Sequence, residues 1–237
     1  MNFGDGPFFN KLRFDAVGLL WNGEYNDYED NLYLSNQYGY ILDDFDKHWF
    51  GRGGFSMQAD LLLDVEPYLY RDDVKHALRA LFNGQAVSYF PDVRMNTEHA
   101  APQMGDWRGD HFKSSDEANC AGWLRYLFVR EEGEELLLGQ AVPREWLRPG
   151  QRCGIERTAT YFGTTSVLYT GGVNEIIAQV EGPRRNPPRT IRLRFREPAS
   201  RPLASVTVNG KPWKDFSGEW VRLPGDAATV RVLARFP

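Results

Sequence analysis

Apolar residues recur at helical intervals in the first part of this chain and at every second position in the last part. Tyr28, Leu32, Tyr38, Ile41, Leu42 and Phe45 follow a period near 3.6, and the glycine-rich stretch Gly51 to Gly54 interrupts it. Phe55 to Leu63 reads as a short apolar helix ending around Pro67. Asp72 or Asp73 is placed to cap a helix whose stripe is Val74, Ala77, Leu78, Leu81 and Phe82. A loop of roughly 25 residues follows, Tyr89 to Lys113, and loops of that length inside a domain tend to carry function. Ser114 to Glu117 has the S-x-x-E form of a capping box. Behind it Ala118, Ala121, Leu124, Leu127 and Phe128 predict an amphipathic helix that ends near Gly133. Leu136 to Leu147 predicts a further apolar helix interrupted by Pro143, and Pro149-Gly150 marks a boundary.

Beyond Gly150 the period becomes two. Strands are expected at Ile155 to Tyr161, Ser166 to Tyr169, Glu175 to Val180, Ile191 to Phe195, Ala204 to Val208 and Thr229 to Phe236. Asn209-Gly210 between two such runs is a hairpin signal, because a type I′ turn needs two positive φ values. Arg184 to Thr190, rich in proline, reads as a connector. Six or more short strands with turn signals suggest a sandwich. The expected organisation is an α+β multidomain chain, helical over residues 1–150 and β over residues 151–237.

Composition sharpens this in two places. Residues 151–237 carry 14 Lys+Arg against 7 Asp+Glu, whereas residues 1–150 carry 14 against 25. Arg192, Arg194 and Arg196 alternate with apolar residues, as on the solvated face of a strand, so the basic half is not read as a nucleic-acid surface. Aromatics reach 14% of the chain, which supplies either a large core or rings on which a sugar can stack. No run of about 18 apolar residues is present, so no membrane-spanning helix is expected. The N-terminal stretch lacks the pattern of a signal peptide, and the compartment stays unassigned. Cys120 falls in a helical pattern as a small buried hydrophobe; a disulfide with Cys153 is left open.

The densest polar cluster is Thr97 to Glu117, inside the long loop. Hydrolysis of a glycosidic bond needs two carboxyl groups, one to protonate the leaving oxygen and one to activate water or attack carbon. Glu98, Asp106 and Asp110 are the catalytic candidates. Trp107 is a stacking candidate, and Arg108, His99, His111 and Lys113 are candidates for holding hydroxyls or an acidic sugar. Trp49 and Arg52, beside the glycine-rich turn, are further candidates for sugar contact. Asp116 and Glu117 are better explained as helix N-terminal residues. His99 and His111 lack the H-E-x-x-H spacing, so no metal is assigned. No dinucleotide, Walker or G-x-S-x-G pattern occurs, so no cofactor and no serine nucleophile is assigned.

The segment Leu136 to Tyr169 resembles the junction of bacterial six-hairpin glycosidases, where a P-x-x-W turn closes the last toroid helix and the chain enters an all-β domain. The matching residues are Pro143, Trp146, Gly150, Phe162, Gly163 and Ser166; Asn186 to Pro198 and Ser205 to Trp213 also resemble that sandwich. The resemblance implies a partial (α/α) toroid of helical hairpins followed by an antiparallel β-sandwich, with carbohydrate as substrate and inverting hydrolysis by two carboxylates. About 150 residues supply half of such a toroid. The expected partners are therefore an oligo- or polysaccharide and either a missing N-terminal half or a second copy, with no nucleic acid and no membrane. Two alternatives stay open: a non-catalytic carbohydrate-binding or scaffold protein, and a polysaccharide lyase.

Overall fold

The structure is a computed structural model that describes residues 65–90, 94–96 and 114–237. The chain divides into two compact units, 1–123 and 124–237. Among the described residues no helix is long and apolar enough to cross a membrane.

In the first unit a short helix, α1 (Glu66–Tyr70), has Pro67 in its first turn. Pro67, expected at a helix end, instead lies at a helix start, because the missing N–H falls among donors that have no intrahelical acceptor. Helix α2 spans Val74–Ser88. Asp73 caps it as expected: its carboxylate accepts from the His76 ring Nδ1 at 2.8 Å and more weakly from the His76 backbone N–H at 3.4 Å. Val74, Ala77 and Leu81 are buried, while Phe82 at the end of the stripe is exposed. The expected long loop opens with a small hairpin, β1 (Tyr89–Phe90) against β2 (Met95–Asn96).

Helix α3 spans Ser114–Phe128, so Asp116 and Glu117 fall in its first turn. Its buried positions are Cys120, Trp123, Leu127 and Phe128, while Ala118, Ala121 and Leu124 are exposed. The buried stripe is thus turned from the expected one. Trp123 offers far more apolar area than two alanines, and Cys120 joins it at i, i+3.

The second unit is a pair of sheets. Its strands are β3 (Val129–Glu132), β4 (Glu135–Leu138), β5 (Arg152–Thr160), β6 (Gly163–Gly171), β7 (Glu175–Glu181), β8 (Thr190–Arg194), β9 (Ser205–Val208), β10 (Lys211–Trp213), β11 (Phe216–Ser217), β12 (Trp220–Pro224) and β13 (Thr229–Arg235). Among the described residues one sheet runs β10-β9-β13-β7-β6-β5 and the other β11-β12-β8-β4-β3. All neighbours are antiparallel except β4 and β8. Alternate residues of each strand are buried: Val167 and Tyr169, Ile176, Ala178 and Val180, Val230 and Val232 on one sheet. Ile191 and Leu193, Val221 and Leu223, Leu136 and Leu138 are buried on the other. The Tyr169 ring meets the Phe195 ring edge-on at 6.0 Å, and its hydroxyl donates to the Arg194 carbonyl at 3.1 Å, tying the two sheets together. Asn209 and Gly210 have φ of 51° and 79° and join β9 to β10, as the type I′ signal required.

The helix expected over Leu136–Leu147 is absent. The chain instead forms the β3–β4 hairpin, whose turn places Gly133 at φ 56°, and then a 3₁₀ turn at Arg144–Leu147. A run of three leucines reads equally as strand or helix. Pairing with β8 decides it: Leu136 lies beside Ile191 and Leu138 beside Leu193. Strands of the β unit therefore begin ahead of Gly150. A toroid of helical hairpins is not seen among the described residues, which hold only α1, α2 and α3 as α-helices.

Candidate functional site

The residues singled out for catalysis and sugar contact, Glu98, Asp106, Asp110, Trp107, Arg108, His99, His111, Lys113, Trp49 and Arg52, all lie outside the described residues. What the structure describes is the β unit that follows them, including the junction segment.

At that junction Pro143 precedes the 3₁₀ turn, and Trp146 stacks on Phe128 with ring centroids 6.1 Å apart. The chain then enters β5, turns at Tyr161 and Phe162, and returns as β6 with Gly163 at φ 123°. Thr160 holds the turn by donating to the Gly163 carbonyl at 2.6 Å and accepting from the Phe162 N–H at 3.1 Å. Ser166 is buried on β6; its hydroxyl accepts the Arg157 N–H at 3.0 Å and donates to Glu181 at 3.2 Å.

The outer face of the sheet containing β8 carries an ion-pair lattice. Glu219 accepts from Arg194 at 2.9 Å and from Arg144 at 2.5 Å. Arg192 pairs with Glu135 at 3.4 Å. Both Arg192 and Arg194 lie over the Trp220 ring, 4.6 and 5.1 Å from its centroid. Arg130 is buried and bonds Gln140 at 2.9 Å as well as Glu132. Arg196 is buried too and donates to the Val142 carbonyl at 2.8 Å. The alternating arginines expected on a solvated strand face are thus half-buried or buried: Arg192 and Arg194 are neutralised by acids distant in sequence, and Arg196 donates to a backbone carbonyl. No local pattern announces Glu219 as their common acceptor. This chemistry is structural: every carboxylate named here is occupied by a guanidinium.

Three titratable groups of the β unit are shifted. Burial pushes the Cys153 thiol up to about 11. Burial, with Cys153 nearby, holds the Tyr169 phenol well above its ordinary value. Burial raises the Glu197 carboxyl, but the hydrogen bonds and charge of Arg201, with the Ala199 backbone, outweigh it, and the net shift is downward. Cys120 and Cys153 are not joined in a disulfide. Among the described residues no three His, Cys, Asp or Glu side chains are grouped as a metal ion requires.

The other sheet has a recess of about 270 Å³ on its outer face. Glu156, Ser166 and Leu168 line one side, and Gln179, Glu181 and Arg231 the other, with Asn209 and Thr229 at the rim.

The second unit is a two-sheet, sandwich-like β unit. No family model matches the chain, and no curated protein matches it. Solved structures do. Over 76% of its length it is similar to 30% of a GH127 beta-L-arabinofuranosidase from Geobacillus stearothermophilus T6, at 15% identity and a TM-score of 0.35. Over 78% it is similar to 26% of an alpha-L-rhamnosidase from Dictyoglumus thermophilum, at 10% identity and a TM-score of 0.34. The chain spans less than a third of either of these solved chains.

Proposed function

We propose that this chain is the C-terminal part of a carbohydrate-active enzyme that hydrolyses glycosides with a pair of carboxylates. Its helical part would belong to a toroid of hairpins, and its β unit would be the sandwich that follows. The observation that carries the reading is the junction. Pro143 and Trp146 sit at a 3₁₀ turn that leads directly into the β5–β6 pair, with Phe162-Gly163 at its bend and Ser166 buried behind it. From Pro143 to Ser166 that is the order of features the six-hairpin resemblance implies, although the element ahead of the turn is strand β4 and not the toroid helix expected there.

In this reading Glu98 and either Asp106 or Asp110 divide the acid and base roles, and Trp107 stacks on a sugar ring. Arg108, His99, His111, Lys113, Trp49 and Arg52 hold hydroxyls. The test is Glu98→Gln in a protein containing this chain, on a glycan it is seen to hydrolyse. Loss of a general acid or base costs roughly 10²–10⁴-fold in kcat. Unchanged turnover removes Glu98 from the mechanism, and an ultraviolet-absorbing unsaturated uronide product replaces hydrolysis by elimination.

A further inference from the structure

The recess on the outer face of the six-stranded sheet is built from adjoining rows of the strand ladder. In one row Ser166 of β6 pairs with Glu181 of β7, which pairs with Thr229 of β13. In the next row Leu168 pairs with Gln179, and Gln179 with Arg231. Asn209 closes that row: its Oδ1 accepts the Arg231 N–H at 2.8 Å, and its own N–H donates to the Arg231 carbonyl at 2.8 Å. The opposite wall is irregular. The β5–β6 register slips between Ile155 and Thr158, and Arg157 takes a φ of 53°. A bulge re-aims the strand beside it, and a left-handed non-glycine residue costs energy that the surrounding structure must offset. Here the Arg157 N–H is held by Ser166, a residue of the recess itself.

Some polar heads around the recess are already engaged, Glu181 by the Ser166 hydroxyl and Asn209 by the Arg231 N–H, and others are unspent. The side chains of Glu156, Gln179 and Arg231 make no hydrogen bond or ion pair among the described residues, in contrast to the paired arginines of the other sheet. Leu168, half-buried, gives the recess an apolar patch. The lining therefore combines one guanidinium, two amides and two carboxylates with a small apolar surface. Planar groups of this kind bridge adjacent hydroxyls, while C–H groups rest on the apolar patch. Two carboxylates against one guanidinium disfavour an anionic ligand such as a phosphate or uronate. A pair of carboxylates also provides too few ligands for a protein-built calcium site.

We propose that this recess is a binding subsite for a neutral sugar unit of a glycan. It shares with the proposed function only the class of ligand, and it requires none of the loop carboxylates.

Calorimetric titration of the 237-residue chain tests it. The probes are neutral gluco-, xylo- and arabino-oligosaccharides, with oligogalacturonate and spermidine as anionic and cationic controls. Saturable binding of at least one neutral probe is expected. Gln179→Ala and Arg231→Ala should each weaken it roughly five- to tenfold, the loss of one hydrogen bond. Thr229→Trp, which fills the rim, should abolish it. On the unaltered protein, amide shifts on adding sugar should centre on Gln179, Glu181 and Arg231, so the proposal stays testable if a variant fails to fold. Binding of no neutral probe, binding of a charged control alone, binding that survives all three variants, or amide shifts centred elsewhere would each overturn it. Turnover of each probe is followed separately by product analysis, so that its heat is not read as binding. Absent binding with intact hydrolysis counts against the recess, and binding with unchanged hydrolysis in Glu98→Gln counts against the catalytic reading.

Discussion

Gly139 follows β4 and lies against Tyr169 of the other sheet, and replacing it with alanine tests that contact. Its φ is +70°. A Cβ there would overlap the Tyr169 phenol oxygen, lie 2.7 Å from the phenol Cζ and 3.1 Å from the Arg194 carbonyl oxygen. Three costs follow. A left-handed alanine costs about 1–2 kcal/mol. Forcing a methyl group into a filled core costs about 1–3 kcal/mol. Displacing the phenol breaks its 3.1 Å bond to Arg194, worth about 1 kcal/mol. Gly139→Ala should therefore destabilise the β unit by roughly 3–6 kcal/mol. With a urea slope of about 2 kcal/mol/M, the midpoint followed by tryptophan fluorescence should fall by roughly 2 M. Tyr169→Phe removes the overlapping oxygen, so in that background Gly139→Ala should cost at least about 1 kcal/mol less. A cost below about 1 kcal/mol, or the same cost in both backgrounds, would show that the inter-sheet contact is not what holds this glycine.

Three other outcomes are expected. Glu219→Gln takes the charge from between Arg144 and Arg194 and should cost roughly 1–3 kcal/mol by urea unfolding, whereas an unchanged midpoint would mean the lattice is energetically idle. Glu197 has its pKa lowered on folding, so its contribution is present above the unfolded value near ~4.3 and is lost as pH falls through the lower folded value. Glu197→Gln should flatten the acid limb of stability below roughly pH 4.3, and a limb as steep as that of the unaltered protein would contradict the assignment. Cys153, with its thiol raised to about 11, should be alkylated at pH 8 roughly a hundredfold more slowly than a free cysteine; equal rates would rule out its burial.

Local chemistry carried much of the β unit. Strict alternation at Glu175 to Val180 and Thr229 to Phe236 placed β7 and β13 because one face had to be buried. Asn209-Gly210 placed a turn because these residues tolerate positive φ. Asp73 was legible as a cap, since its carboxylate reaches a backbone amide three residues on. The catalytic and sugar-contact candidates came from residue chemistry in the long loop, and their arrangement lies outside the described residues.

What the sequence determined by itself was whatever depends on neighbours within a few residues: period, caps and turns. Tertiary structure alone decided the rest. Leu136 to Leu138 became a strand because β8, more than fifty residues later, offers a parallel edge. Arg192 and Arg194 became half-buried because Glu135 and Glu219 neutralise them across strands. The recess beside Arg231 exists only because β13, far along the chain, lies beside β7 of the consecutive strands β5, β6 and β7. Such pairings are chosen by the free energy of the whole sheet, which no short window of sequence contains.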